Sequence, residues 1–297
     1  MDAASEGDRG GLRMENIIEI KGLVKRFGDK TAVDGLDLSV RKGELFGFLG
    51  PNGAGKTTTL RCVSTLTGFD AGSIVVAGFD ILKNPAEAKS RMGVIQQQVS
   101  LDKDLTIREN MISHAMYHDI GKAERNKRIK ELSDFFGLGE YLDKPVDSLS
   151  GGWKKRAAIV CTMLHRPEVL FLDEPTSGLD INARRLLWDV IKNLNDDGTT
   201  IILTTHYIEE AEALCDRVGI IDKGKIIALD DPQSLCERVG KVAVECHVGG
   251  KTEYKYFKSR EEANAYASSL EGDVSIRATN LEDVFVEMTG KSVGGQK

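Results

Sequence analysis

The sequence has no run of about 18 apolar residues, the least an α-helix needs to span a bilayer, so any work at a membrane calls for a second chain to supply the spanning part. The first residues, Met1 to Gly11, have no apolar stretch of the secretory-signal kind and read as a flexible tail over residues 1–14. Met14, just before the first strand-like run, is an alternative start. Cysteine is scarce: Cys62, Cys161, Cys215, Cys236 and Cys246 are odd in number, and no two stand as CxxC. That favours free thiols in a reducing compartment over a disulfide framework or a zinc site. The histidines, His206 apart, give no metal-site signal either. A basic excess is also missing. With 40 Lys and Arg against 46 Asp and Glu the formal charge is −6, which argues against nonspecific nucleic-acid binding, because that rests on Lys and Arg at phosphates. No motif recurs at a repeat spacing, so the chain carries one copy of whatever it carries.

What is present suits a soluble core. The 297 residues, 41% hydrophobic and 29% charged, have room for one large domain and a small one and need no staples. Apolar runs at Leu45–Leu49, Val169–Leu172, Thr200–Leu203 and Val218–Ile221 read as strands, with Ile17–Ile20, Leu36–Val40, Ser73–Ala77, Gly93–Ile95 and Ile226–Leu229 as further ones. Helical spacing covers Thr58–Leu66, a charged stretch from about Ile107 to Phe136, Ser150–His165, Ile181–Leu194 and Tyr207–Cys215. Strands alternating with helices imply a mostly parallel sheet covered on both faces. The composition shifts near Gly240. Beyond it two strands, a helix (Glu261–Leu270), a strand (Val274–Ala278) and a helix (Leu281–Met288) make a small α+β unit.

Gly50-Pro51-Asn52-Gly53-Ala54-Gly55-Lys56-Thr57-Thr58 fits GxxxxGK[ST], between a buried strand and a helix. Glycines let the backbone approach a ligand closely. Successive N–H groups, with the helix N-terminus behind them, then face phosphates. Lys56 is placed to reach the β- and γ-phosphates, and Thr57 to ligate Mg²⁺. Val169-Leu170-Phe171-Leu172-Asp173-Glu174 is an apolar strand ending in two acids. Asp173 is assigned to the Mg²⁺ and Glu174 to polarising the attacking water. Ligands of parallel sheets bind at the carboxyl ends of strands, where both motifs sit.

Leu149-Ser150-Gly151-Gly152 decides the family. With the two motifs before it, the chain resembles the ATPase subunits of ABC transporters over about residues 17–235. The fold this implies is α/β: a P-loop ATPase with a mixed sheet core, a helical subdomain and a small C-terminal α+β domain. The domains expected are residues 15–240 for the ATPase, with the helical subdomain at about 98–165, and 241–297 as an accessory or dimerisation domain. Phe27 resembles the aromatic that stacks on adenine. Gln97, chosen from Gln96, Gln97 and Gln98 by its spacing to Leu101-Asp102, resembles the Q-loop residue that touches both Mg²⁺ and the transmembrane partner. Ser177-Gly178-Leu179-Asp180 resembles the D-loop, and His206 of Thr204-Thr205-His206 the switch histidine that contacts the γ-phosphate and positions Glu174. The resemblance implies ATP and Mg²⁺ as ligands, with catalytic roles for Glu174, His206, Gln97 and Lys56. The metal falls to Thr57, Gln97 and Asp173. Phe27, Gly50–Thr58 (Pro51 apart), Ser150, Gly151, Gly152 and Asp180 are expected at the nucleotide. In the family, Ser150-Gly151-Gly152 closes over ATP held by a second copy, so the chain is expected to work as a homodimer.

Two positions depart from the pattern. Trp153 follows the two glycines where a polar or flexible residue is common, and it is expected either on the partner's nucleotide or on the helical insert. Gln96 stands where an aromatic or Pro is usual. Glu44–Leu49, His206–Glu212 and Asn280–Phe285 resemble the subunits of bacterial and archaeal drug-resistance and polysaccharide exporters. That implies ATP-driven export of a drug, lipid, glycan or ion through a separate permease, with this chain cytoplasmic and peripheral on the inner membrane face, and no nucleic acid as partner. An ABC ATPase of translation or DNA repair would carry a second cassette or long inserts. A nonhydrolysing module would lack some of Lys56, Asp173, Glu174 and His206.

Overall fold

In the computed structural model, which describes residues 15–248, 251–270 and 272–289, the body is built on a six-stranded sheet. Its strands are β3 (Leu45–Leu49), β6 (Met92–Ile95), β7 (Val169–Asp173), β8 (Thr200–Thr205), β9 (Arg217–Asp222) and β10 (Lys225–Asp230), in the order β10-β9-β3-β8-β7-β6. All pairings are parallel except β9–β10. The expected tail over residues 1–14 lies outside the described residues.

Every residue of β3, β7 and β8 is buried, as central parallel strands covered on both faces require. Their two-residue period divides the core. Leu45, Leu49, Leu170, Leu172, Ile201 and Leu203 pack to one side with the helices, while Phe46, Phe48, Val169, Phe171 and Ile202 pack to the other. On that second side lies an antiparallel sheet ordered β2-β1-β4-β5, from β1 (Asn16–Phe27), β2 (Lys30–Arg41), β4 (Ala71–Val76) and β5 (Phe79–Asp80). Helix α1 (Lys56–Val63) is held between the two sheets, with Leu60, Cys62 and Val63 in the same cluster. The short α2 (Pro85–Ser90) leads into β6.

The helical subdomain contains α3 (Ile107–Tyr117), α4 (Lys122–Phe135), a 3₁₀ turn at Val146–Ser148 and α5 (Gly151–Met163). The single charged helical stretch expected from about Ile107 to Phe136 is two helices. A capping box between Thr106 and Glu109 opens the first, and Asp119, at φ 53°, turns the chain before Gly121 starts the second. The remaining body helices are α6 (Ile181–Asp196), α7 (Ile208–Leu214) and α8 (Pro232–Val239). Asp231 caps α8 by accepting from Ser234 N at 2.8 Å, with Pro232 in the first turn; this helix was not anticipated.

The final segment holds a sheet ordered β12-β11-β13, from β11 (Val242–Val248), β12 (Lys251–Phe257) and β13 (Val274–Ala278), with α9 (Arg260–Ala267) against it. Helix α10 (Leu281–Thr289) then returns to the body and packs on α7 and α8. Leu281, Val284 and Phe285 join the core that contains Leu214 and Leu235, and Leu281 N donates to Glu212 Oε1 at 2.7 Å. Arg277 clamps buried Asp283 with two bonds of 2.6 and 2.8 Å, and Asn280 N donates to the same carboxylate at 2.9 Å. Phe285→Ala should therefore cost about 3–5 kcal/mol, read as a lower urea midpoint. A midpoint equal to the parent's would show that α10 contributes nothing to the body.

Candidate active site

The phosphate loop leaves the carboxyl end of β3 and enters α1. Two of its glycines have no substitute. A Cβ on Gly50 would lie 2.3 Å from the Ile221 carbonyl oxygen, and one on Gly55, at φ 114°, 2.5 Å from the Ala32 oxygen. Gly224 N donates to Ala54 O at 2.7 Å, pinning the loop to the β9–β10 turn. Lys56 is buried inside the loop, its Nζ donating to Gly50 O at 2.6 Å and Pro51 O at 3.1 Å. Burial pushes the Lys56 ammonium pKa below its usual value, and the charges of Glu174 and Asp173 oppose that shift.

At the end of β7, Asp173 is 2% exposed. Its Oδ1 accepts from Thr57 Oγ1 and from Thr204 Oγ1, each at 2.7 Å. Glu174 follows at φ 46°, a left-handed conformation that is costly for a residue with a Cβ and persists only where the surroundings impose it. Here its N–H donates to both the carbonyl and the hydroxyl of Thr204, at 3.1 Å each. The side chain is thereby placed between Gln97, whose Nε2 donates to Oε2 at 3.3 Å, and His206, whose Nδ1 is 3.3 Å from Oε1. The imidazole contact is close but poorly aligned: His206 Nδ1 is buried without a hydrogen-bond partner among the described residues. These contacts single out Gln97 from its two neighbours.

The pocket over the loop is lined by Phe27, Lys30, Ala32, Asn52, Gly53, Gly55, Lys56, Thr57, Thr58 and Glu174. Phe27 is 55% exposed at its rim, with Lys25 Nζ 5.0 Å from the ring centre. Thus the loop, both acids, Gln97 and His206 converge. Ser150, Gly151 and Gly152 do not join them. They open α5 beside a different concavity, lined by Ser150, Gly152, Trp153, Arg156, Asp180 and Asn182 among others. Asp180 belongs there too and caps α6 by accepting from Ala183 N at 2.9 Å. Glycine eases that approach, since a Cβ on Gly152 would sit a tight 3.0 Å from Ala183 Cβ. Trp153 stacks on Tyr141 at 3.9 Å with Arg156 4.6 Å over its ring, so within this chain it packs on the helical insert.

Two residues escaped sequence reasoning. Thr204 stood in the quoted Thr204-Thr205-His206 string without a role. Lys155, buried in α5, donates through Nζ to the Gln97 carbonyl. Burial lowers its ammonium pKa against the pull of Asp173, Glu174 and Glu210, so the helix that carries Ser150 is tied to the Gln97 loop. A lysine among Trp153-Lys154-Lys155-Arg156 gives no local sign of which member turns inward.

The oxygen-only set around Asp173 and Thr57 suits a hard divalent cation, and the glycine loop with its buried lysine suits a polyphosphate. The ABC transporter family model matches residues 33–177. The linearmycin resistance ATP-binding protein LnrL of Bacillus subtilis (strain 168) is 37% identical over 280 residues, covering 93% of this chain and 90% of that protein. This chain belongs to the ATP-binding subunits of ABC transporters. The Nod factor export ATP-binding protein I of Ralstonia nicotianae is likewise 37% identical over 310 residues, covering 95% and 97%. The cbiO1 structure from Clostridium perfringens, described as part of the ABC transporter complex cbiONQ, superposes with a TM-score of 0.69 at 27% identity over 74% of this chain and 90% of that one. As a member of the family the chain binds ATP and hydrolyses it to power transport, and the expected P-loop ATPase fold is the one observed.

Lys56→Ala should weaken ATP binding by at least about tenfold, a loss of about 1.4 kcal/mol, in isothermal titration; unchanged affinity would remove Lys56 from the phosphate site. Thr204→Val takes a hydroxyl from both Asp173 and the Glu174 amide. It should cost about 1–3 kcal/mol of stability and slow phosphate release, and parent-like values in both assays would show the hydroxyl to be dispensable.

Proposed function

We propose that the chain drives export through a separate membrane permease, as a homodimer in which each copy completes the ATP site of the other. The observation that carries this is the separation of Ser150-Gly151-Gly152 from the phosphate loop within one chain, in two different concavities. Both are helix N-termini suited to anions. Within one chain the two halves stand in separate concavities, and a two-fold partner brings each half to its complement. Residues 15–240 are the ATPase domain, with about 98–165 its helical part, and residues 241–297 are an accessory unit that contributes to pairing or regulation.

In that dimer Phe27 stacks on adenine, and Gly50, Asn52, Gly53, Ala54, Gly55, Thr57 and Thr58 cradle the phosphates with Lys56. Thr57, Asp173 and Gln97 would hold Mg²⁺, which when bound offsets the phosphate charge. Ser150, Gly151 and Gly152 face the partner's γ-phosphate, with Asp180 at the same junction. Glu174 accepts the proton of the attacking water. Its left-handed backbone and its contacts with Gln97 and His206 keep the carboxylate facing the loop, and His206 reports on whether the γ-phosphate is present.

Export is supported by two curated relatives, one named for linearmycin resistance and one for Nod factor export. No helix among the described residues is long and apolar enough to cross a membrane, in keeping with a permease on a second chain and a place on the cytoplasmic face of the membrane. Glu174→Gln keeps the shape of the side chain and removes its basicity. It should retain ATP binding, lose phosphate release and run as a dimer with ATP in size exclusion, while the parent does so only transiently. A variant that binds ATP and stays monomeric would refute the shared site.

A further inference from the structure

Away from the ATP site, three of the chain's five histidines meet on the helical subdomain. His114 and His118 are four residues apart on and at the end of α3, hence on one face, and His165 comes from the link between α5 and β7. Their ring centres are 5.0, 5.8 and 3.9 Å apart, and one nitrogen from each lies within 4.8 Å of the other two. His165 Nε2 is 2.9 Å from the Met92 carbonyl oxygen. A carbonyl only accepts, so Nε2 carries the proton and Nδ1 carries the lone pair. That Nδ1 is buried without a hydrogen-bond partner among the described residues, and so is Nδ1 of His114. A ring nitrogen fixed to a backbone carbonyl with the other one free is the arrangement that orients metal-ligating imidazoles.

We propose that His114, His118 and His165 form a binding site for one transition-metal ion of the Zn²⁺ class. Three neutral imidazoles with a fourth position left to water are a known zinc donor set, and imidazole also suits Ni²⁺, Cu²⁺ and Co²⁺. Tetrahedral ligation with bonds of about 2.0–2.1 Å places nitrogens about 3.3 Å apart, so the rings must draw in. His118 and His165 are stacked flat, at an interplanar angle of 1°, and one ion cannot lie in two parallel ring planes. His118 has to turn out of the stack. His118 is the most solvent-open of the three and follows the last helical residue, which leaves room for that turn; His114, tilted 25° from both other rings, has to reorient with it. Bound there, the ion cross-links α3 to the link between α5 and β7.

The test uses the full chain without an affinity tag or nucleotide, stripped with a chelator, with Zn²⁺ titrated against a chromogenic chelator and Co²⁺ followed by absorption. The expected results are one equivalent per chain, a Co²⁺ spectrum of tetrahedral intensity, and affinity reduced by at least about a hundredfold in both His114→Ala and His165→Ala. His247→Ala, in the exposed part of β11, should bind as the parent does. ATP binding by each variant checks its fold, and the Co²⁺ spectrum of the parent needs no variant. Parent affinity weaker than about 0.1 mM, an octahedral Co²⁺ spectrum, or equal affinity in parent and His165→Ala would each overturn the site and leave three stacked neutral rings that serve only packing.

Discussion

One carboxylate oxygen, Asp173 Oδ1, receives hydroxyl protons from Thr57 at the start of α1 and from Thr204 on β8. Hydrogen bonds to a carboxylate are about twice as strong as neutral ones; the one from Thr204 is buried and the one from Thr57 half-buried. They join three segments that are far apart in sequence: the helix behind the phosphate loop, the end of β7 and the end of β8. The position of Glu174 follows from this junction, because the threonine that bonds Asp173 also receives the Glu174 amide. The left-handed turn there is imposed by β8, and it directs the second acid across to Gln97 and His206.

The sheet beneath makes that junction rigid. Odd and even positions of β3, β7 and β8 feed two separate clusters, so a one-residue slip of any of these strands would exchange their faces. It would also carry Asp173 away from Thr57. Packing and chemistry are thus enforced by the same register.

Local pattern reached as far as local physics extends. The loop glycines, Lys56, Thr57 and the paired acids were legible because each needs its neighbours at fixed offsets, and β3, β7 and β8 because their burial is written as unbroken apolar runs. Thr204, Lys155 and the histidine cluster were not, since their roles arise from segments that meet only after folding. The break between α3 and α4 had only a local sign, Gly121 after Asp119-Ile120, inside a stretch otherwise charged and helical in spacing. Strands β1 and β2 run twelve residues each, well beyond the short apolar segments that announced them, because backbone pairing continues where side chains turn to solvent. Helix α10 was read correctly as a helix, yet nothing within nine residues tells which body it will join.

The return of α10 gives the C-terminal sheet two attachments, one where α8 leads into β11 and one through Leu281, Val284 and Phe285 on α8 and α7. A unit on a single tether pivots, whereas one fastened at both ends behaves as a lever. Any load applied to β11–β13 reaches both α8 and α7, and α7 begins two residues after His206. The far end of the chain is therefore mechanically geared to the helix that follows His206.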